Sequence, residues 1–509
     1  MDYSKKLSEN QTMLDHKTLK SLIIKGVGWL VIKRILTQII LTSSSLILVR
    51  ILFPQDFGIF VIIQFLVTIF WVFADLGLGR ALIQKKEEPG VALLQSVWWT
   101  QVGLGLVVAG ILWLASPLLV DYYDGHLPEK AIEWIRILAV SQILVSMSGV
   151  SAVLLERRLD YKRIFIAEIS GLFVTQGSSI AFAFFGLGTV SLVFGAVIGK
   201  LTVIIAYLIL SPWQWGFHFD IRDLRSVLYF GVSFQATILF SIANGAVIPL
   251  YVGRFPGPGG WSGAQAVGFV SFASGVAALS GAMGEIINQF IFPLMSRLQE
   301  KKLLATEYFK RALWIVTVSA FGAVSLLFPL ARDLISIVYT SNWLPALPAF
   351  YLALVQITLM AVTSLALYTL LAFGDTRFYR NMHFFWTVLQ WGLTIPLVLL
   401  FGFWGVVLAG VLVSLTALFA FRRLKRYINF SYANIVGAPL LVALSTGLLV
   451  FGLINVFPID NFFQFLLVSV FGGSIYFYLT YFFMRRELIQ NIKIVKEIVS
   501  DLRFKKNAD

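Results

Sequence analysis

Residues 26–51 read GVGWLVIKRILTQIILTSSSLILVRI, and the character of this one stretch decides the fold. It is long enough to cross the roughly 30 Å of hydrocarbon in a bilayer, yet Lys33 and Arg34 lie well inside it. Around a helix, Lys33, Arg34, Thr37, Gln38, Thr42, Ser44 and Ser45 share about half the circumference, and Ile32, Ile35, Leu36, Ile39 and Leu46 fill the other half. Val31 and Leu41 intrude on the polar side and Ser43 on the apolar one. A span surrounded by lipid is apolar all round; this one has a wet side. Snorkelling of long side chains to the interface is the simplest explanation for Lys33 and Arg34. Arg34, however, sits about 12 Å in from Gly26, near the limit of that reach. Snorkelling also leaves Thr37, Gln38, Thr42, Ser44 and Ser45 unexplained. The favoured reading is a helix that lines a water-filled cavity, with Lys33, Arg34, Thr37 and Gln38 as substrate-binding candidates.

The rest of the chain agrees with a membrane setting. Hydrophobic residues make up 58% and charged residues 13% of the 509, and the mean hydropathy is +0.84, which excludes a soluble globular domain. There is no cysteine, so disulfides and thiolate metal sites are excluded. The net charge of +14 needs no nucleic acid, because cytoplasmic loops of membrane proteins collect Lys and Arg. The first twenty residues are polar and contain no apolar signal core.

Apolar runs long enough to span recur to the end of the chain. About fourteen meet the length criterion: 26–51, 59–79, 91–115, 133–155, 164–186, 189–210, 227–251, 267–294, 312–331, 348–372, 384–401, 404–421, 435–456 and 462–484. Basic pairs cluster in alternate connections, at Lys85–Lys86, Arg157–Arg158 with Lys162–Arg163, Arg222 and Arg225, Lys301–Lys302 with Lys310–Arg311, and Arg422–Arg423 with Lys425–Arg426. The intervening connections are short and poor in basic residues, and 121–130, DYYDGHLPEK, is net acidic. The positive-inside rule then places the basic loops and both termini in the cytoplasm. Beyond Arg485, Leu488, Ile489, Ile492, Val495, Val499 and Leu502 share a face, which predicts a basic amphipathic helix on the inner membrane surface.

An internal repeat runs through the spans. GLGTVSLVFGAVIG at 186–199 resembles GFWGVVLAGVLVS at 402–414. LLERRLDYKR at 154–163 has a counterpart in LLAFGDTRFYR at 370–380, and DFGIF at 56–60 in AVGFV at 266–270. The offset stays near 210–216 residues. Six spans per repeat send both halves into the membrane in the same sense, an arrangement of transporters with a site between two lobes. The predicted fold is an all-α polytopic membrane protein: two parallel six-helix lobes, 1–213 and 214–427, around a central cavity. Two additional helices, 428–484, and a cytoplasmic amphipathic tail, 485–509, follow.

Other intramembrane polar groups extend the candidate site. Glu285 and Gln289 lie four residues apart on one helix face, with Asn288 between them. Lys200 lies in the middle of its span, and Glu168 and Gln176 in another. For Glu285 and Lys200, an interlobe salt bridge and a substrate or coupling-ion contact stand level. Asp75 and Arg80, in FADLGLGR, suit a structural or gating role: Asp75 caps the turn or pairs with Arg80. Gly195-AVI-Gly199-Lys200-Leu201 is too short for a phosphate loop and has Leu where Ser or Thr should hold Mg²⁺; helix packing through GxxxG explains it better. His16, His126, His218 and His383 are scattered, without metal-ligand spacing. No catalytic group, cofactor or metal is expected, and the short external connections argue against a glycosyltransferase or polymerase.

ILVRILFPQDFGIF at 47–60 followed by FADLGLGRALIQKKE at 73–87 resembles the opening of bacterial polysaccharide-export proteins, the Wzx-type oligosaccharide flippases. FPLMSRLQ at 292–299 and VYTSNWLPALP at 338–348 resemble signatures of that family's second half. The likeness covers nearly the whole chain and looks closest to the colanic-acid-exporter-like branch of the multidrug/oligosaccharidyl-lipid/polysaccharide exporter superfamily. The resemblance implies two lobes that open alternately, and a flippase for undecaprenyl-pyrophosphate-linked oligosaccharide in the bacterial inner membrane. It also implies membrane lipid as a partner and a polysaccharide polymerase and assembly proteins as neighbours. No nucleic acid and a monomeric chain complete the expectation. The lipid II flippases of the superfamily use cations in the first helix, but their serine-glycine-arginine pattern is absent here, so no residue carries over from them. The rival readings are a multidrug/cation antiporter, a membrane glycosyltransferase or polymerase, and a scaffold subunit. An antiporter should present carboxylates to a cationic drug, whereas the first helix is cationic with no acid partner.

Overall fold

The computed structural model describes residues 28–29, 32–85, 87–220, 224 and 242–504, excluding the side chains of Phe73, Asp75 and 492–504. The polar N-terminus, Lys86, Arg222, Arg225, most of the 227–251 span and the apolar face expected at Ile492, Val495, Val499 and Leu502 lie outside that description. Among the described residues, thirteen helices are long and apolar enough to cross a membrane. The chain is therefore an all-α polytopic membrane protein.

In chain order the helices are α1 (Ile32–Ile51), α2 (Pro54–Asp75), the short α3 (Leu78–Gln84), α4 (Val91–Asp121), α5 (Ala131–Arg157), α6 (Tyr161–Phe184) and α7 (Thr189–Leu210). After them come α8 (Ile242–Val252), α9 (Gly263–Arg297), α10 (Lys302–Leu327), α11 (Ser341–Ala372), α12 (Thr376–Phe401), α13 (Gly405–Leu424), α14 (Tyr432–Val456) and α15 (Phe462–Phe504). α15 contains one non-helical residue, Met484, where the apolar run gives way to Arg485 and Arg486.

Contacts divide the chain into two compact units: Met1–Phe255 with Trp261–Gly268, and Pro256–Gly260 with Phe269–Asp509. The first unit has a core built around Leu78, Leu82, Val97 and Val150. The second packs Phe309, Leu313, Leu365, Leu370 and Leu424. Many large apolar side chains remain exposed, among them Leu441, Leu448, Phe451, Phe471, Phe477 and Phe482. On a soluble protein that would be an aggregating surface; in a bilayer it is the lipid-facing side.

Local chemistry explains where the helices start and how they continue. α2 begins at Pro54, whose missing N–H is no loss in a first turn, and Asp56 accepts the Phe53 N–H at 3.1 Å. Asp56 also accepts from the Thr189 hydroxyl at 2.8 Å, so the FPQDFG motif ties the start of α2 to the start of α7. α4 runs through Pro117 without ending. Proline at 117 leaves the Trp113 carbonyl without its helical donor, and Arg136 Nε supplies one at 3.3 Å while also donating to Ser116 Oγ at 3.0 Å.

Two repeat-related glycines meet each other. A Cβ on Gly58 would lie 1.6 Å from the Ala264 carbonyl oxygen, and one on Gly268 would lie 2.0 Å from the Pro54 oxygen. Pro54 and Gly58 stand 210 residues before Ala264 and Gly268, and the contact, made within the first unit, is reciprocal: each glycine lies against the other pair's carbonyl. Gly195 and Gly199 serve helix packing: their Cβ atoms would collide with Ser179 and Thr175 of α6.

Candidate functional site

Lys33 forms an ion pair with Glu168 of α6, the two side chains being 30% and 38% exposed. The sequence reading, in which the first helix has no acid partner, is corrected here: the partner comes from another helix, 135 residues on, where no spacing rule reaches. Tyr207 of α7 donates to the same carboxylate at 3.1 Å. Lys200 stands two turns from Tyr207, about 10 Å along α7, and its ammonium donates to Ser141 Oγ of α5 at 3.4 Å. Ser141, Lys200, Tyr207, Glu168 and Lys33 thus form a polar seam on four helices of the first unit.

The rest of the α1 face is partly self-satisfied. Gln38 donates to Thr42 Oγ1 at 3.1 Å; the Ser44 and Ser45 hydroxyls donate to the carbonyls of Leu41 and Thr42 at 3.1 and 2.9 Å. Arg34 and Gln38 are exposed and Thr37 is half-buried. In the second unit, Glu285 and Gln289 are exposed on α9, and Asn288 between them donates to Ser364 Oγ at 2.8 Å. Arg80 pairs with Glu156 at 3.4 Å. Asp75 closes α2, and the following Leu76 and Gly77 take left-handed φ values of 46° and 67°, which gives the DLG motif its turn.

Sequence reasoning singled out Lys33, Lys200 and Glu168 but missed Tyr207 and Ser141. A tyrosine near a span end reads as an interfacial residue, and a serine within a helix reads as a local backbone bonder. Among the described residues, no group of three or more His, Asp and Glu could hold a metal ion. Counted together with Arg34, the seam carries three cations and one carboxylate.

Comparisons with known proteins give the family and the fold. A family described as polysaccharide biosynthesis protein matches residues 47–348. The lipopolysaccharide biosynthesis protein WzxC of Escherichia coli (strain K12) is 22% identical over 338 residues, 66% of this chain and 67% of that one. The lipid II flippase MurJ in an inward closed conformation superposes with a TM-score of 0.73 at 16% identity, covering 92% of this chain and 100% of that one. An inward-facing multidrug resistance transporter of the MATE family gives 0.55 at 15% identity, over 79% and 98%. Both of these solved structures are transporters, and the likeness to them is one of fold.

Proposed function

The chain belongs to the polysaccharide biosynthesis protein family, and from that premise we propose that it is a flippase for a lipid-linked oligosaccharide. The substrate is an undecaprenyl-pyrophosphate-linked repeat unit, moved by alternating access from the cytoplasmic to the outer leaflet of the bacterial inner membrane. The observation that carries this reading is the cationic, hydroxyl-rich face of α1 in a spanning helix. A pyrophosphate bearing a glycan cannot cross hydrocarbon unaided, because stripping water from its charge costs far more than thermal energy. Fixed cations along a wet path remove most of that cost, while the polyprenyl chain stays in lipid. Arg34 leads, with Lys33, Thr37, Gln38 and Lys200 as the candidates of the first unit; Glu285 and Gln289 are the candidates of the second. Glu168 keeps Lys33 from holding the anion too tightly, which favours release.

The same reading keeps both termini cytoplasmic and divides the repeats near residue 213. It places Asp75 and Arg80 at a structural turn, and favours the colanic-acid-exporter-like branch. A polymerase and assembly proteins would receive the product. The multidrug antiporter shares the fold, so the fold does not separate the two; the family match and the excess of cations favour the flippase.

The test is surface polysaccharide and lipid-linked precursor accumulating in the inner leaflet, normalised to protein in the membrane. Arg34→Ala should cut export about tenfold or more, since a hydrogen bond to a charged group is worth about 1.5–3 kcal/mol. Arg34→Lys should keep part of it, because charge survives but the bidentate fork does not, and Arg34→Glu should abolish it. Normal export by a stably inserted Arg34→Glu variant ends the reading.

A further inference from the structure

Residues 211–220, directly after α7, read SPWQWGFHFD. Aromatic rings fall at every second position, 213, 215, 217 and 219, and in an extended chain that period puts them on one side. No helix forms from Pro212 to Asp220. Instead the segment is fastened across the amino end of α4 by its backbone. Gln95 Nε2 donates to the Gln214 carbonyl at 3.2 Å, Trp99 Nε1 to the Gly216 carbonyl at 3.1 Å, and the Asp220 N–H to Ser96 Oγ at 3.2 Å. The rings join those of α4. Trp213 and Trp215 stack at 5.3 Å, Trp98 meets Trp215 edge-on at 5.1 Å, and Trp99 meets Phe217 at 5.2 Å. Even so, Trp215, Phe217 and Phe219 remain 50%, 83% and 54% exposed.

Two observations fix what covers that aromatic side. The segment starts where the apolar α7 stops, and it crosses α4 at residues 95–99, just past the charged stretch at 85–88. The ends of spanning helices meet the headgroups, and amphipathic rings are favoured at such ends. Its carbonyls are also bonded by Gln95 and Trp99, and backbone next to lipid must be satisfied by protein because water is scarce there.

We propose that residues 213–219 are an interfacial strap, docked on the bilayer surface with their aromatic side embedded at the boundary between headgroups and acyl chains. The partner is the lipid surface of the leaflet at the amino end of α4. Lys85, Lys86, Arg222 and Arg225, which flank the strap and its docking helix in sequence, add attraction for lipid phosphates.

The chain has no cysteine, so single cysteines at 214, 217, 218 and 219 in the full-length protein can each carry a nitroxide. The protein is placed in nanodiscs of phosphatidylethanolamine and phosphatidylglycerol, and collisions of each label with oxygen and with a water-soluble nickel chelate are compared. Labels at 217 and 219 should favour oxygen, at a depth of about 5–10 Å, and labels at 214 and 218 should favour nickel. Equal nickel access at all four positions overturns the strap. Nickel access at 217 and 219 that disappears on adding a lipid-linked glycan overturns it too, in favour of a sugar-stacking surface. Phe217 touches Trp99; if Phe217→Cys fails to assemble, the label at 219 against those at 214 and 218 carries the same decision.

Discussion

The turn between α5 and α6 and the turn between α11 and α12 share a backbone but not a lock. In the first, the Asp160 N–H donates to the Leu155 carbonyl at 3.0 Å and the Leu159 N–H to Glu156 at 3.1 Å; in the second, the Asp375 N–H donates to Leu370 at 3.0 Å and the Gly374 N–H to Leu371 at 3.1 Å. This paired closure ends a helix through one left-handed residue, Leu159 at φ 55° in one case and Gly374 at φ 84° in the other. Each is followed by an aspartate that opens the next helix. Asp160 turns inward on its own helix, accepting the Arg163 N–H at 3.2 Å and pairing with the Arg163 side chain at 3.4 Å. Asp375 reaches across its unit to Arg423 Nε at 2.7 Å and the Tyr427 hydroxyl at 3.1 Å, and its side chain is only 8% exposed against 31% for Asp160. At the offset of the matched stretches at 186 and 402, Arg423 and Tyr427 correspond to Tyr207 and Ser211; the first unit thus carries no cation at the place of Arg423, and its Tyr207 donates to Glu168 instead. The two turns therefore share backbone geometry but are tied differently: the second through its aspartate, the first through Arg157, which donates to the Lys85 and Glu87 carbonyls at 2.8 and 3.0 Å.

The largest expected effect breaks the lock. Asp375→Ala leaves the Arg423 guanidinium and the Tyr427 hydroxyl without their shared acceptor at a largely buried position. The loss should exceed that from Asp160→Ala, because the bonds removed run to a charged group on another helix. Asp160→Ala removes a helix cap and a mostly solvated pair, worth about 1 kcal/mol. Apparent melting temperatures of the purified protein in one detergent compare the two. If Asp160→Ala proves the more damaging, the lock is not what distinguishes the copies.

Acid sharpens the same contrast. Burial pushes the Asp375 carboxyl upward, but hydrogen bonds from Arg423 and Tyr427 outweigh it and hold the group below its ordinary value of 3.8. A carboxyl lowered on folding contributes stability above its unfolded value and loses that contribution as pH falls through its folded value. Wild type should therefore exceed Asp375→Asn in stability by a constant margin above about pH 5, and the margin should shrink below pH 4. A margin unchanged down to pH 3 would mean that the Asp375 charge adds nothing to the turn.

How far the sequence carried this architecture depends on the range of the signal. The apolar runs and the likeness of the twin turns are written locally, in LLERRLDYKR and its counterpart; the contact of Gly58 with Gly268 is not, because it needs two distant helices to meet. Helix lengths were less legible: the apolar run at 91–115 stops short, but α4 continues to Asp121, the carbonyl that Pro117 leaves open accepting from the Ser116 hydroxyl at 2.8 Å and from Arg136 of another helix at 3.3 Å. The candidate site was legible on one helix only. The wet face of α1 could be drawn on a wheel, whereas the pairing of Lys33 with Glu168 and Tyr207 depends on three helices meeting, and no residue spacing encodes that distance. The lock at Asp375 was hidden for the same reason, since Arg423 reads as one more basic loop residue.

The smallest expected effect lies in the left-handed residue itself. Leu159 holds φ 55° with a branched side chain, a conformation that costs an L-residue roughly 1 kcal/mol and that glycine adopts freely. Leu159→Gly should relieve that strain but widen the unfolded ensemble, which costs up to about 1 kcal/mol, so the net change should be a small gain or none. Gly374→Leu reverses the experiment at the other copy: the strain appears while the unfolded chain becomes stiffer, and the loss should be similarly small. Because the side chain at 159 is half-buried, Leu159→Asn is the better-matched probe, as asparagine tolerates the left-handed region while keeping a side chain. A gain for both Leu159→Gly and Leu159→Asn would locate the difference between the copies in backbone strain as well as in the lock. A loss above about 1 kcal/mol for both would show that the Leu159 side chain holds the first turn together, doing by packing what Asp375 does by charge.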